Sequence, residues 1–166
     1  MQIHLDSLFP SHDRGGGQNN SHLSIYSNNI PTGRGGTDIG ATTNQGVSAF
    51  AMNLRNPSNV LNTAHNVAAF SGPTNTTAGF FNISRSVSTE YKIYKNTTET
   101  NRVITSATVS TTPIAICAWN NNGTFANFQD RTYAFASAGY ALTAAQNTNL
   151  YNIVQKFQIT LGRAVS

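Results

Sequence analysis

The stretch Pro113–Arg163 decides the fold and reads PIAICAWNNNGTFANFQDRTYAFASAGYALTAAQNTNLYNIVQKFQITLGR. Its apolar run, residues 114–119, predicts a strand that is buried on both faces. A polar loop from Asn120 to Asp130 follows, and residues 131–138 alternate with the period of a second strand. The end of the stretch contains the one convincing helix pattern in the chain.

That helix is predicted over residues 143–162. Thr143 is the expected N-cap, and Gln146 lies three residues later, which is the spacing of a capping box. Gly162 is placed where a left-handed C-cap belongs. One apolar stripe is expected to pack on a face or edge of a sheet, and it consists of Leu150, Ile153, Val154, Phe157 and Leu161.

The residues before this stretch predict strands and turns. Alternating patterns occur at 22–27, 47–55, 78–86 and 90–95, and residues 102–109 are expected to return as a partner strand after a turn at 96–100. Phe50, Met52 and Leu54 are taken as the core-facing side of their strand. Many short strands with one late helix favour an all-β fold, an antiparallel β-sandwich with one C-terminal α-helix.

The composition excludes several classes of function. Charged residues make up only 10% of the 166 residues, compared with about 25% in an average domain. The ten Lys and Arg residues are scattered and form no basic stripe, so no nucleic acid is expected as a partner. No apolar run is long enough for membrane insertion. Cys117 is the single cysteine and is expected to be a small buried hydrophobe, so no intrachain disulfide can form.

The C-terminal residues carry a resemblance to a known family. The segment DRTYAFASAG, residues 130–139, and the helix pattern YxxVQxFQxxLGR, residues 151–163, are similar to the end of concanavalin A-like, laminin-G-like jelly-roll domains of bacteriophage tail and other virion structural proteins. Weaker matches lie at 22–27, 37–40, 52–55 and 94–96. The resemblance covers roughly residues 20–166, so residues 1–21 are treated as a poorly patterned segment before a domain at 22–166.

The resemblance implies a jelly-roll β-sandwich and a non-catalytic virion module of a tail fibre, spike or similar appendage, located on the extracellular particle. It implies other virion proteins and a host surface glycan as partners, and a homo-oligomer that is a trimer by analogy. The alternative is a structural protein for capsid or tail assembly or decoration. Family domains begin with strands that precede this sequence, so the chain is expected to be a fragment or to expose a strand edge that a partner covers.

Carbohydrate binding needs an aromatic ring beside planar amide groups, because a sugar ring has an apolar face and a hydroxyl rim. Two stretches have this composition. The first is Trp119 with Asn120, Asn121 and Asn122, and the second is Tyr26 with Asn28. The alternative for Trp119 is a core residue at a strand end, and the alternative for the asparagines is ordinary turn chemistry.

Catalysis and metal binding have weaker support. Glycoside hydrolysis needs two carboxylates that flank the sugar bond, and the six acids show no paired spacing within a strand, although pairing across strands stays open. Calcium is the one cofactor considered, with Asp38 and Asp130 as oxygen ligands, while the favoured alternative is that Asp130 pairs with Arg131 or caps a turn. The four histidines, His4, His12, His22 and His65, lack zinc spacing and are expected to lie at the surface.

Overall fold

The computed structural model describes residues 2–3, 17–29, 36–44 and 47–165. Within these ranges the chain forms twelve strands in two sheets and one helix, α1, at Ala144–Thr160. The strands are β1 Gln2–Ile3, β2 Ser21–Ser27, β3 Ile39–Asn44, β4 Ser48–Asn53, β5 Asn62–Val67, β6 Gly79–Arg85, β7 Glu90–Lys95, β8 Thr98–Val103, β9 Ile114–Ile116, β10 Trp119–Asn121, β11 Thr124–Ala126 and β12 Tyr133–Gly139. The prediction of an all-β sandwich with a C-terminal helix is confirmed.

The five-stranded sheet has the order β12-β2-β6-β7-β8, and all of its pairings are antiparallel. Its middle strand, β6, pairs with β2 and β7 over long, regular registers. β12 forms one edge and carries a register shift between Tyr133 and Phe135. β8 forms the other edge. The predicted partner strand at 102–109 is wrong in position, because the turn is confined to Asn96–Thr97 and β8 begins immediately after it.

The seven-stranded sheet is organised around β3, which pairs with three strands. β4 runs along one side of β3, with β5 beyond it. β9 pairs with the start of β3 at Ile39–Gly40, and β10 pairs with Ala41 and Thr42. The β3–β10 pairing is parallel, so the prediction that the whole sandwich is antiparallel is wrong at this place. β1 pairs with β9, so residues before the expected domain boundary at residue 22 belong to a sheet.

The core lies between the two sheets. Leu23, Ile25, Phe81 and Ile83 of the five-stranded sheet share one buried cluster with residues of the seven-stranded sheet. Phe50, Met52 and Leu54 are in this cluster, as predicted, but Ala49 and Ala51 are buried there too. Even positions of β2 and β6 therefore point to the opposite side of the five-stranded sheet, which we call the outer face.

Helix α1 covers part of this outer face. Thr143 is its N-cap, with a reciprocal capping box to Gln146, and Gly162 follows the helix with a φ of 66°, so the predicted caps are confirmed. Tyr26, Phe80 and Val154 form a second buried cluster between sheet and helix. No helix in the described residues is long and apolar enough to cross a membrane.

The predicted apolar stripe of the helix is largely wrong. The side chains of α1 that are buried are Asn147, Val154 and Gln158, and Leu150 is only partly buried. Ile153, Phe157 and Leu161 are exposed. Polar residues occupy the buried side of the helix because the outer face of the sheet carries polar side chains that bond to them. The Asn82 amide nitrogen, for example, donates to Asn147 Oδ1 at 3.0 Å. Apolar periodicity does not report this kind of helix–sheet contact.

The expected single strand at 114–119 is also interrupted. Cys117 has a φ of 68°, which turns the chain between β9 and β10. Cys117 is only half-buried, so the expectation of a buried residue is wrong, although it packs against the main core as a hydrophobe. The polar loop predicted over residues 120–130 instead contains the rest of β10 and the strand β11, and this hairpin forms the candidate functional site.

Candidate functional site

The hairpin of β10 and β11 is shaped by its own asparagines. Asn122 and Gly123 form the two-residue turn with positive φ values of 47° and 93°, conformations that asparagine and glycine adopt most easily. Asn120 Oδ1 accepts a hydrogen bond from the Gly123 amide at 2.9 Å, and its Nδ2 donates to the Pro113 carbonyl at 2.8 Å. Asn120 is therefore buried and occupied as a turn anchor, which leaves its amide unavailable to a ligand.

The indole ring of Trp119 is not exposed to solvent at this hairpin. Its side chain is 5% exposed, belongs to the main core and packs against Phe70 with ring centroids 5.6 Å apart. The indole Nε1 has no hydrogen-bond partner among the described residues. Trp119 lies at an inward position of β10, so the packing fits the alternative of a core residue at a strand end.

Two other aromatic side chains take the exposed positions. Phe125 is paired across the hairpin with Asn120 and is 44% exposed, and Phe128, just beyond β11, is 69% exposed. Asn121 is half-buried, and Asn122 and Thr124 are exposed beside them. Neither phenylalanine was predicted as a site residue from the sequence, although their place in TFANF, between polar residues, is the signal that could have identified them.

Tyr26 and Asn28, the second stretch predicted to bind glycan, have a structural role. Tyr26 lies under helix α1 with no exposed surface, and its hydroxyl donates to Gln155 Oε1 at 2.8 Å and accepts from the Val165 amide at 2.9 Å. The Asn28 amide donates to the Arg163 carbonyl at 2.6 Å. Both side chains hold the C-terminal helix on the five-stranded sheet, whereas the hairpin belongs to the seven-stranded sheet, so the structure does not bring the two stretches into one site.

Asp38 is buried in an ion pair. Arg131 Nη1 donates to both carboxylate oxygens, and the Tyr133 hydroxyl and the Leu54 amide donate as well. Burial raises the pKa of the Asp38 carboxyl, and the Arg131 charge and these donors oppose that rise. A calcium ion at Asp38 would have to displace a guanidinium. In the described part of the chain no three His, Cys, Asp or Glu residues come together as a metal site, and Asp130 is exposed.

The prediction of surface histidines is wrong for the two that lie within the described residues. His65 has no exposed surface, and its Nε2 donates to the Ser21 carbonyl at 2.9 Å. Burial lowers its pKa from 6.5 to about 3. His22 is buried beside Tyr140, and burial lowers its pKa too. Both side chains are buried, and burial favours the neutral form of each. His4 and His12 lie outside the described ranges.

Two acids do meet across neighbouring strands. Glu90 on β7 and Glu99 on β8 lie on either side of Lys92, whose ammonium is 3.0 Å from one carboxylate and 3.4 Å from the other. A hydrogen bond from Asn101 and the contact with Lys92 lower the pKa of Glu90. A glycoside hydrolase needs one protonated carboxyl of raised pKa, and this exposed arrangement favours the ionised form of Glu90.

No protein-family model matches the chain, and no curated protein sequence matches it.

Proposed function

We propose that this chain is a non-catalytic structural module of a bacteriophage virion, part of a tail fibre, spike or similar appendage, that binds host cell-surface carbohydrate through the hairpin of β10 and β11. The observation that carries the binding proposal is two exposed rings, Phe125 on the hairpin and Phe128 two residues beyond it, where the other exposed side chains are amides and hydroxyls. The virion context rests on the similarity of residues 130–163 to phage structural domains. The finer fold that accompanies the proposal is a concanavalin A-like jelly roll, supported by the two-sheet core.

The chemistry of the hairpin suits a neutral sugar. Phenyl rings pack against the apolar face of a pyranose, while Asn122 and Thr124 offer hydrogen-bond donors and acceptors to its hydroxyl groups. The hairpin residues Trp119–Ala126 include no charged side chain. Binding therefore depends little on ionic contacts, and we expect it to change only slightly with salt concentration.

We propose a non-catalytic module because the contacts of the Asp and Glu carboxylates do not suit glycoside hydrolysis. Asp38 has its oxygens occupied by Arg131, Tyr133 and Leu54. Glu90 and Glu99 share Lys92 on an open surface. Asp6 and Asp13 lie outside the described residues. Release of sugars from host envelope polysaccharide by the purified chain would overturn this part of the proposal.

An assembly or decoration protein is the second candidate, and one observation favours it. An exposed apolar stripe of about two turns consists of Ile153 and Phe157 on α1 and of Leu161 directly after its last residue. Such a surface is typical of a contact with a neighbouring protein. The two candidates therefore use different parts of the molecule, which allows them to be separated by mutation.

The experiment compares two double variants. Phe125→Ala/Phe128→Ala removes both exposed rings at and just after the hairpin, and Ile153→Ala/Phe157→Ala removes apolar surface from the helix. All four side chains are exposed, so both variants should fold. Binding to host envelope polysaccharide is measured alongside incorporation into particles. We expect the first variant to lose at least tenfold in glycan affinity while particles still form.

The opposite pattern overturns the proposal. If the wild-type chain shows no affinity for host polysaccharide and the helix variant fails to assemble, the protein is an assembly component. If the hairpin variant binds glycan as well as the wild type, the hairpin is not the site. Trp119→Ala is not a useful substitution for this purpose, because it removes a core side chain.

A further inference from the structure

Strand β8 leaves one of its two edges open. It is the last strand of the five-stranded sheet, and among the described residues only β7 pairs with it. Five of its six residues are exposed, the exception being Arg102. The strand is therefore long enough, and accessible enough, to accept another strand through its main chain.

Two backbone hydrogen bonds establish which main-chain groups point outward. The Asn96 amide donates to the Phe80 carbonyl at 2.8 Å, which extends the β6–β7 ladder, so even residues of β7 bond to β6 and odd residues bond to β8. The Ile104 amide donates to the Thr89 carbonyl at 2.9 Å, which extends the β7–β8 ladder by one pair. Both contacts leave the N–H and C=O groups of Glu99, Asn101 and Val103 directed away from the sheet.

β8 lacks several of the features that usually protect a sheet edge, and its charged residues are Glu99 and Arg102. Its register against β7 has no bulge, and the sequence TETNRV has neither proline nor lysine. The other edges of the described sheets are different. β12 has a register shift, β5 is flanked by residues 71–74 through isolated bridges, and β1 and β11 have only two and three residues.

There is room for a partner strand on both sides of this edge. Thr98 and Thr100 point to the inner side of the sheet and are exposed, so the seven-stranded sheet does not extend over β8. On the outer face, helix α1 contacts β6 and packs on Tyr26 and Phe80, which lie on β2 and β6. A second molecule approaching in the plane of the sheet meets neither layer.

We propose that β8 pairs with β8 of a second copy of this chain, antiparallel and with Asn101 on the two-fold axis. In this register Asn101 faces Asn101 of the copy, and Glu99 faces Val103 of the copy, so each outward group finds a partner. Shifting the register by two residues toward the C-terminus places the two Arg102 side chains opposite each other, which like charges disfavour. Shifting it the other way shortens the overlap. The result is one continuous sheet of two five-stranded halves, closed by two-fold symmetry.

The test uses Asn101 because its amide N–H points outward. Asn101→Pro removes this N–H and leaves the ladder to β7 intact, because proline is tolerated at such edge positions. Asn101→Ala removes the same side chain, including its bond to Glu90, but keeps the N–H. Sedimentation velocity over a concentration series should show a dimer for the wild type and for Asn101→Ala, and a monomer for Asn101→Pro.

Hydrogen exchange provides a second readout that does not depend on a variant. The amides of Glu99, Asn101 and Val103 should be protected in the dimer and exchange rapidly on dilution, whereas those of Thr100 and Arg102, bonded to β7, should stay protected in both states. If Asn101→Pro fails to fold, Asn101→Lys replaces it: two ammonium groups then meet on the axis, and the dimer should weaken at low salt and recover as salt rises.

A wild-type chain that stays monomeric at every concentration, with rapid exchange at the three outward amides, overturns the proposal. So does an oligomer of any size that Asn101→Pro and Asn101→Lys leave unchanged. The proposal is independent of carbohydrate binding, because the hairpin of β10 and β11 belongs to the other sheet, and neither variant is expected to alter glycan affinity per chain.

Discussion

Arg131 donates through Nη1 to both carboxylate oxygens of Asp38, and neither side chain has any exposed surface. Asp38 immediately precedes β3 of the seven-stranded sheet, and Arg131 lies just before β12 of the five-stranded sheet. Arg131 Nη2 also donates to the Arg55 carbonyl at 2.8 Å. The ion pair therefore joins the two sheets at one end of the sandwich.

Asp38→Asn should destabilise the protein by about 3–5 kcal/mol, because it leaves the Arg131 charge buried without its counterion. Urea denaturation at neutral pH measures the loss. Combining it with Arg131→Met removes the stranded charge and should restore part of the stability. A single variant within about 1 kcal/mol of the wild type would show that water reaches Arg131.

The lowered pKa of the buried His65 leads us to expect that the protein loses stability in acid. Its pKa is 6.5 when unfolded and about 3 when folded, so below pH 6.5 the unfolded chain binds a proton that the folded chain does not. This contribution is fully present above 6.5 and is lost as the pH falls toward 3. We expect about 2 kcal/mol less stability at pH 5 than at pH 7, from the shift alone. His22 acts in the same direction, since its pKa is lowered too.

The assignment to His65 is checked with His65→Phe. This variant loses the hydrogen bond to Ser21, so it should be less stable at neutral pH, but its stability should depend less on pH than that of the wild type. Denaturant midpoints at several pH values give the comparison. An equally steep loss in the variant would assign the acid sensitivity to other groups.

Two adjacent residues of helix α1 should differ in how much their substitution by alanine destabilises the protein. Val154 is 4% exposed against Tyr26 and Phe80, and Ile153 is 68% exposed. Val154→Ala should cost about 1–3 kcal/mol of folding free energy, whereas Ile153→Ala should change it by no more than about 0.5 kcal/mol. Thermal unfolding of the isolated chain decides between them. Equal losses would mean that the stripe containing Ile153 is packed, as the sequence pattern suggested.

Gly40 is required by the close approach of β3 and β4. It has a φ of 153°, and a Cβ atom there would lie 2.2 Å from the Cβ of Ala51. Gly40→Ala should therefore destabilise the protein by about 3 kcal/mol or more. Gly123→Ala is the matched control: its φ is 93°, but no atom lies within 4 Å of the added Cβ, so it should cost only about 1 kcal/mol. Similar losses for both would argue that backbone conformation alone sets the cost.

Local patterns predicted much of the secondary structure. The capping box of Thr143 and Gln146, the C-terminal Gly162 and the strands at 22–27, 78–86 and 90–95 follow from short-range chemistry, and the structure has them close to the predicted positions. The boundaries failed where one residue changes the path of the chain. Asn96 and Cys117, each with a positive φ, are two such residues. The sequence predicted a turn from Asn96 but made it three residues too long, and it gave no sign of the turn at Cys117.

The candidate site was predicted less well than the fold. Composition identified the region around the hairpin. It predicted that Trp119 would be the solvent-exposed aromatic ring, whereas Phe125 and Phe128 are the exposed ones. An aromatic residue in a strand contributes to the core or to the surface according to which side of the sheet it faces. That side depends on the register of β10 against β3, which no local pattern contains.

The sequence by itself determined the class of fold, one helix capped at both ends and packed after a series of strands, because periodicity and capping act over a few residues. Only the tertiary structure decided which side of that helix is buried, that Asp38 binds Arg131, and that β8 is left with an open edge. These three features depend on residues that lie far apart in the chain and meet through the order and register of the strands. Asp38 and Arg131 are 93 positions apart, and their contact exists only once both sheets have formed.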